Sequence, residues 1–403
     1  MSENAELQAG LSRRGFMRQT LGGMAALATL GHASVSASTS GMRYRRLGRT
    51  NLMVSELGIG CSPLGQRQAR DVYLQNIGAV MRLGLERGIN VFDTAPSYPG
   101  SEDAVGKAFQ GIPRHSYLLC TKAEETRKEK IAAGLEASLK RLRADYVDIL
   151  HEHAHYHKPE GAHDRLEFVE ACQKLREQGK LRFFGASGHN PAVLAEYLRT
   201  GQFDTVMIPY NHLTRAAETL LFPVAQEHDV GVFAIKPLTG NYKPWDKRPG
   251  EDAKLDKLMK EFNARDYVSA ALRFVLAHSS VACGVCGMER PQDVEENVAT
   301  VRTSLQTADR GPLGTYAALF SFTYCRMCEW CLPCPRGVAV PDIQRFQMYA
   351  TSYRQVDRAR GLYASLPPEA RADRCDGCGL CEARCPNGIY IRDKLKQAHE
   401  ILC

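Results

Sequence analysis

Between Met42 and about Arg310, short apolar runs alternate with stretches whose apolar positions recur at helical spacing. Eight runs have strand length: Glu56–Cys61, Asn90–Ala95, Tyr117–Lys122, Tyr146–His153, Leu181–Ser187, Thr205–Asn211, Gly231–Pro237 and Val281–Gly287. Helical patterns lie between them, including Val72–Arg87, Lys128–Arg143, Arg165–Gln178, Ala216–His228 and Asp266–His278. One helix entry is written as Asn190-Pro191, a capping side chain just ahead of a proline at the first helical position. Eight strand–helix units in roughly 250 residues predict an α/β fold, the (β/α)8 or TIM barrel.

After Gly311 the periodicity changes. An apolar helix is expected over Leu313–Phe322, a helical stretch rich in Arg and Tyr over Ile343–Tyr363, and an amphipathic helix over Lys394–Leu402. The chain thus divides into a barrel over 42–310 and a small, mainly helical domain over 311–403, with no linker long enough to let the second swing freely. Asn241–Arg265, polar and charged with Pro244, Trp245 and Pro249, reads as a long loop over the end of the seventh strand, a lid or substrate-facing segment.

The 403 residues are 44% hydrophobic and 24% charged, which fits a globular chain with one large core. The net charge of +7 is spread along the chain, which argues against a nucleic-acid surface. The 14 cysteines change the picture, because eight of them fall into two short motifs in the small domain. Cys375, Cys378, Cys381 and Cys385-Pro386 follow the C-x2-C-x2-C-x3-C-P spacing with which bacterial ferredoxins hold iron–sulfur clusters. Cys325, Cys328, Cys331 and Cys334-Pro335 are a near-copy. Two [4Fe–4S] clusters are expected, the first three thiolates of each motif converging on one cluster and the fourth reaching towards its neighbour. A disulfide knot poorly explains two quartets each followed by proline in a chain with ample core. Zinc usually takes paired C-x2-C knuckles separated by a longer loop. Cys283 and Cys286 have redox-pair spacing, but their apolar run reads as a buried strand.

In a (β/α)8 barrel chemistry gathers where strands end. The second strand ends in Asp93-Thr-Ala-Pro-Ser-Tyr98, the third in Lys122 and the fourth in His151-Glu-His153. An acid, a phenol, an ammonium and an imidazole at neighbouring strand ends suit carbonyl reduction. A hydride arriving at carbon builds charge on oxygen, and a positioned acid must protonate it. Lys122, tied to Asp93, would ease proton release from Tyr98, and His153 would polarise the carbonyl. His151 shares the face of His153 and is the alternative. His155 and His157 add a second alternative, a His-rich metal loop.

Residues 1–37 read as a targeting segment. Ser12-Arg13-Arg14-Gly15-Phe16-Met17-Arg18 resembles the twin-arginine export signal, an uncharged Gly/Ala-rich stretch follows, and Val35-Ser36-Ala37 offers small residues for cleavage. That route exports proteins already folded around their cofactors, so a periplasmic iron–sulfur protein is expected. The apolar stretch is too short to span a membrane, and no integral membrane segment is expected after signal removal.

From Tyr44-Arg-Arg-Leu-Gly-Arg-Thr-Asn-Leu through Glu295-Glu-Asn297, the chain resembles the aldo/keto reductases, and more narrowly a bacterial branch with an appended 4Fe-4S ferredoxin-type domain. The resemblance implies the same barrel and places the family's Asp–Tyr–Lys–His tetrad on Asp93, Tyr98, Lys122 and His153. It also implies NADP or NAD across the barrel mouth. Ser187 and Tyr210 would hold and stack the nicotinamide, and Lys236, Leu238 and Gly240 would form the loop over the pyrophosphate. Gly287, Arg290, Gln292, Glu296 and Asn297 would take the adenosine end. Three positions depart from the family pattern: Gly188 and Met207 replace an asparagine and a glutamine, and Glu289 replaces an arginine. Arg290 beside it favours NADP over NAD. The function expected is reduction of a small-molecule carbonyl or sugar-like substrate, coupled through the clusters to a redox partner protein. The alternative is an iron–sulfur electron carrier whose barrel is a non-catalytic docking scaffold.

Overall fold

In a computed structural model, residues 41–62, 67–125, 127–153, 166–239, 262–320, 325–351 and 355–403 are described. The expected signal segment, the His155/His157 loop, Gly240 and most of the Asn241–Arg265 loop lie outside these residues.

Each expected barrel strand forms, trimmed by a residue or more at one or both ends in every case but the fifth. Strands β1 (Tyr44–Arg46) and β2 (Met53–Ser55) pair as an antiparallel hairpin. The eight barrel strands are β3 (Leu57–Gly60), β4 (Val91–Asp93), β5 (Leu118–Ala123), β6 (Val147–His153), β7 (Leu181–Ser187), β8 (Thr205–Pro209), β9 (Gly231–Ile235) and β10 (Val281–Cys286). All pair in parallel, and β10 closes onto β3. Cys283 and Cys286 are buried on β10, which supports the strand reading of that pair.

The hairpin was not expected from the sequence, and it closes the bottom of the barrel. Leu47 and Val54 join an interior cluster with Val91, Leu118, Ile149 and Phe233. Glu56 is gripped by Arg43 and Arg45 at 2.8 and 2.7 Å, and Arg45 also donates to the carbonyls of Leu276 and Val281. The hairpin thus fills the barrel interior at the end opposite to that where the strands finish.

The outer helices are α1 (Arg67–Glu86), α2 (Ser101–Ala108), α3 (Lys128–Leu142), α4 (Leu166–Glu177), α5 (Pro191–Arg199), α6 (Ala217–Leu220), α7 (Phe222–Glu227), α8 (Ala264–Ala277) and α9 (Pro291–Val301). Asn190 caps α5 as expected, its side-chain oxygen accepting from the amides of Ala192 and Val193. The single helix expected over Ala216–His228 is two, because Pro223 has no amide to continue the first and sits well in the opening turn of the second.

Helix α10 (Arg310–Phe320) leads out of the barrel and packs on it: Tyr316 stacks on Tyr267 of α8 at 3.9 Å. The remaining domain holds α11 (Val340–Thr351), α12 (Val356–Ala364), α13 (Leu380–Arg384) and α14 (Ile391–Leu402). Ile343, Phe346, Ala359, Tyr363, Leu395 and Leu402 form its core, with Cys331 and Cys381 buried at the edge. Among the described residues no helix is long and apolar enough to cross a membrane.

Candidate active site and cysteine centre

The strand ends converge on a cleft of about 1210 Å³, counting its open mouth. Asp93 ends β4, Lys122 stands near the end of β5, His153 ends β6 and Ser187 ends β7, and all four line the cleft with Tyr98. Parallel pairing sets His153 beside Ser187 and Lys122 beside His151.

Lys122 Nζ lies 2.7 Å from both Asp93 carboxylate oxygens and 2.8 Å from the Thr94 carbonyl, so its three donors are fixed. Burial works against the ammonium, but Asp93 and the Tyr98 phenol outweigh it and hold Lys122 above the ordinary lysine value. The same Nζ stands 5.1 Å from the centroid of the Tyr98 ring. Burial pushes the Tyr98 phenol up to about 12, with Lys122 pulling the other way. His153 meets Tyr98 edge-on at 6.1 Å, and its Nδ1 is 2.7 Å from Glu124, whose carboxylate can only accept; Nδ1 therefore carries a proton. The four side chains expected at the strand ends thus form one constellation.

His151 lies a layer deeper inside the barrel, fully buried, against Thr205 at 3.1 Å and edge-on to Phe233. Burial drives it well below the ordinary histidine value, with Lys122 adding to the effect, so it stays neutral. It is part of the floor, and His153 reaches the cleft.

The nicotinamide expectations divide. Ser187, Lys236, Leu238 and Gly287 line the cleft, as do Gly188, Met207 and Glu289, the three departures from the family pattern. Tyr210 does not. The chain leaves the barrel after Pro209, and the ring turns out among Phe222, Phe274 and His278 with its hydroxyl donating to Glu218 at 2.7 Å. The stacking role expected for Tyr210 is corrected on that geometry, and Lys236, directly after β9, stands at the cleft instead. Its backbone is left-handed at φ +54°, its carbonyl accepts from Asn211, and burial lowers its ammonium. Tyr210→Phe is therefore expected to leave nicotinamide affinity within about twofold while costing about 1.5–3 kcal/mol of stability for the lost bond to a charged group, read by fluorescence titration and urea unfolding.

At the adenosine end the start of α9 is self-paired. Arg290 contacts Asp293 at 2.7 Å, Gln292 donates to Glu296 at 2.8 Å, and Glu296 also pairs with Arg265. Asn297 is buried with its amide on Cys286. Gly287 lines the cleft, whereas Arg290, Gln292, Glu296 and Asn297 do not; Arg290 is already engaged by a carboxylate, and at this end Glu289 is the charged residue on the cleft wall.

Ser62 and His189 of the barrel line the cleft without having been expected there, and so do three residues of the small domain. Tyr349, at the end of α11, Gln355, and Arg358, on α12, belong to the small domain and cover the barrel mouth. Only the Arg- and Tyr-rich composition of that stretch hinted at them. Beside the cleft a smaller pocket is walled by Cys325, Arg326 and Met327 on one side and by Asn211 and Lys236 on the other. Lys236 borders both spaces. The Asn190 side chain also bonds Glu329 in the first cysteine loop, fastening that loop to the barrel.

The first halves of the two cysteine motifs share a backbone conformation, and the second halves differ, Leu380–Arg384 being helical. Gly377 and Gly379 have φ of +76° and +77°, and Met327 and Glu329, at the matching places, have +56° and +61°. Left-handed residues between the thiols curl each loop so that its side chains point inward, and glycine meets that need at the least cost. Cys325 has Cys331, Cys328 and Cys385 as electrostatic neighbours, and Cys334 lines a cavity with Cys331 of its own motif and Cys375, Cys378 and Cys381 of the other. The fourth cysteine of each motif thus lies among thiols of the other motif. Among the described residues no three His, Cys, Asp or Glu side chains converge as a single ion requires. Sulfurs from both motifs spread around one cavity fit a cube better than a zinc ion, whose ligands all sit ~2.3 Å from one point.

Residues 56–311 match the aldo/keto reductase family, and residues 324–390 match a 4Fe-4S dicluster domain. The L-galactose dehydrogenase of Arabidopsis thaliana is 32% identical, over 64% of this chain and 88% of its own length. An aldo-keto reductase from Bacillus halodurans in its holo form superposes with a TM-score of 0.56 and 31% identity, covering 69% of this chain and 96% of that one. One from Klebsiella pneumoniae, solved in complex with NADPH, has a TM-score of 0.55 and 25% identity, covering 69% of this chain and 95% of that one.

Proposed function

Because the chain belongs to the aldo/keto reductase family, we propose that it reduces a carbonyl or sugar-like substrate with a nicotinamide cofactor, and that its iron–sulfur domain exchanges electrons with that site. The observation that carries the first half is the joining of Asp93, Lys122, Tyr98 and His153 in one cleft. The second half is supported by Lys236, which borders both the cleft and the pocket that holds Cys325.

When bound, the nicotinamide supplies a hydride to the carbonyl carbon. Tyr98 gives its proton to the carbonyl oxygen, so the product is the alcohol, and the phenolate left behind is stabilised by the Lys122 ammonium. Asp93 holds Lys122 in place and charged. His153, oriented by Glu124, lines the side from which the oxygen is reached. Tyr349 and Arg358 close the mouth, which limits water during the transfer. A sugar-like substrate is supported by the likeness to an L-galactose dehydrogenase, and NADP by the likeness to an NADPH-bound reductase.

The cysteine sets would hold two [4Fe–4S] clusters, each carrying one electron at a time. Hydride transfer to the carbonyl uses both electrons of the nicotinamide, so the two clusters would serve to return two, one each, which with one proton restore its reduced form; Cys378, exposed at the far set, would face the redox partner protein that supplies them. The test is anaerobic purification followed by iron analysis, absorbance, and titration with nicotinamide followed by fluorescence. A colourless, iron-free protein would remove the electron-transfer half, and a cleft that binds no dinucleotide would remove the reductase half.

Export is part of the proposal, supported by Ser12–Arg18 and by a cofactor load that calls for folding before transport. Replacing Arg13 and Arg14 by lysine is expected to keep the protein in the cytoplasmic fraction, and equal periplasmic yield from the variant would exclude the twin-arginine route.

A further inference from the structure

Helix α11 buries three polar side chains, and two of them are matched. Arg345 donates to Asp342 at 2.7 Å, and Gln347 donates to Gln397 at 3.4 Å. The third, Gln344, is 5% exposed, and its Nε2 is buried without a hydrogen-bond acceptor among the described residues. Its helix neighbours Ile343 and Phe346 bury apolar side chains in the core of the small domain. A buried amide donor with no acceptor is costly, and folded proteins rarely tolerate one, so Gln344 points to a group that the polypeptide alone does not supply.

Gln344 lines the pocket between the barrel and the first cysteine loop, where Cys325, Asn211 and Thr239 also stand. The side-chain oxygens of the last two are engaged. Asn211 Oδ1 accepts from the amides of Leu213 and Thr214 at 3.0 and 2.8 Å, and the Thr239 hydroxyl is held between Tyr267 and Tyr316. Cys325 offers an acceptor of another kind. Its Sγ already takes the Met327 amide at 3.4 Å, and it stands with Cys328, Cys331 and Cys385 in the inner of the two cysteine sets. As an iron ligand it is a thiolate, and a charged sulfur accepts N–H bonds more strongly than a neutral one.

We propose that Gln344 donates a hydrogen bond to sulfur of the inner cluster, at Cys325 or at a sulfide beside it, and thereby raises the reduction potential of that cluster. This rests on the iron–sulfur half of the reading above and is independent of the substrate. Reduction by one electron adds negative charge to the sulfurs, so an N–H donor stabilises the reduced cluster more than the oxidised one. The step it acts on is a bare electron transfer. The inner set gains the electron that the outer set loses, the redox partner protein having supplied it, and no bond forms or breaks. Gln344 does not line the cleft; it acts through the cluster, setting how readily an electron stops on the cysteine set whose pocket Lys236 shares with the cleft.

The test is a redox titration of the full chain, purified anaerobically and followed by spin resonance, in the wild type, Gln344→Met and Gln344→Glu. Methionine keeps the length of the side chain and removes the donor. Gln344→Met is expected to shift one of the two reduction equilibria about tenfold towards the oxidised form, about 59 mV for one electron, and to leave the other in place. Gln344→Glu, which sets a carboxylate where the amide was, should shift the same equilibrium further in the same direction. Gln347→Met is the control on the same helix and should move neither. Unmoved equilibria in Gln344→Met would give the donor to a buried water and overturn the proposal. So would a shift towards the reduced form in Gln344→Glu, or an equal shift in Gln347→Met. The wild type supplies a reading that no variant can disturb. With 15N in its glutamine side chains, pulsed spin resonance should show the reduced inner set coupled to one such nitrogen. A wild type without that coupling would overturn the proposal even if both Gln344 variants lost their iron. An iron-free wild type would remove the cluster reading itself, before any titration, whereas an iron-loaded protein with unmoved equilibria removes only the role of Gln344.

Discussion

Replacing Tyr98 with phenylalanine is expected to lower kcat for carbonyl reduction by about 10²- to 10⁴-fold, with nicotinamide affinity changed by less than about twofold. The ring of Tyr98 is retained by phenylalanine, so its packing against His153 and Lys122 survives. Only the proton is lost. Hydride transfer without a proton donor leaves an alkoxide in a partly closed cleft, and the cost of that charge is what the acid removes. The pH behaviour separates this role from a structural one. Burial pushes the Tyr98 phenol up to about 12, against the pull of Lys122, so the neutral form dominates at ordinary pH. As the acid in reduction Tyr98 must be protonated, and reduction should stay level with rising pH until close to that value. In the reverse direction the phenolate is needed, so alcohol oxidation should climb about tenfold per pH unit through the alkaline range. In Tyr98→Phe both dependences should vanish. A variant that keeps the alkaline rise would place the acid–base group elsewhere in the cleft.

The reach and the limits of the sequence reading both follow from how the fold displays its residues. Strand ends were legible because barrel strands are continuous apolar runs, so a polar residue that closes one stands out; Asp93, Lys122, His153 and Ser187 all lie at the cleft for that reason. Tyr210 misled because it also follows a strand. The chain turns outward at Pro209, and a large aromatic there is better satisfied among Phe222, Phe274 and the Glu218 carboxylate than at the open mouth. Lys236 carried the better signal, a lysine wedged between Ile235 and a proline at a strand end, but one strand later. Tyr349 and Arg358 were not legible as cleft residues at all. They stand more than two hundred residues beyond Tyr98, on helices whose own periodicity reports only the core of the small domain, and nothing in that spacing says which surface of the barrel they will cover. The bottom hairpin was missed for a simpler reason: three-residue strands are too short to leave a pattern.

Removing Cys325 and Cys385 together, each to alanine, is expected to cost no more iron than removing either alone, about four of about eight atoms per chain if each set holds one [4Fe–4S] cluster. The reasoning lies in the crossing. Cys385 belongs in sequence to the second motif, yet it neighbours Cys325 and Cys331, while Cys334, with Cys331 beside it, shares a cavity with Cys375, Cys378 and Cys381. If the ligands instead followed the sequence, the double variant would damage both sites, and nearly all the iron would be lost. Iron analysis with low-temperature spin resonance of the reduced protein reads the difference directly. A second consequence concerns the barrel. The set that contains Cys325 adjoins Lys236 and Asn211, and its loop is fastened to Asn190 through Glu329. Loss of that set should loosen the segment carrying Tyr349 and Arg358, which line the cleft, and raise KM for the carbonyl substrate. The Cys334→Ala variant, which strikes the outer set, should spare the cleft more. An equal effect of Cys334→Ala and Cys385→Ala on KM would mean that the cap holds its place over the mouth without help from the inner cysteines, by the packing of α11, α12 and α14 alone.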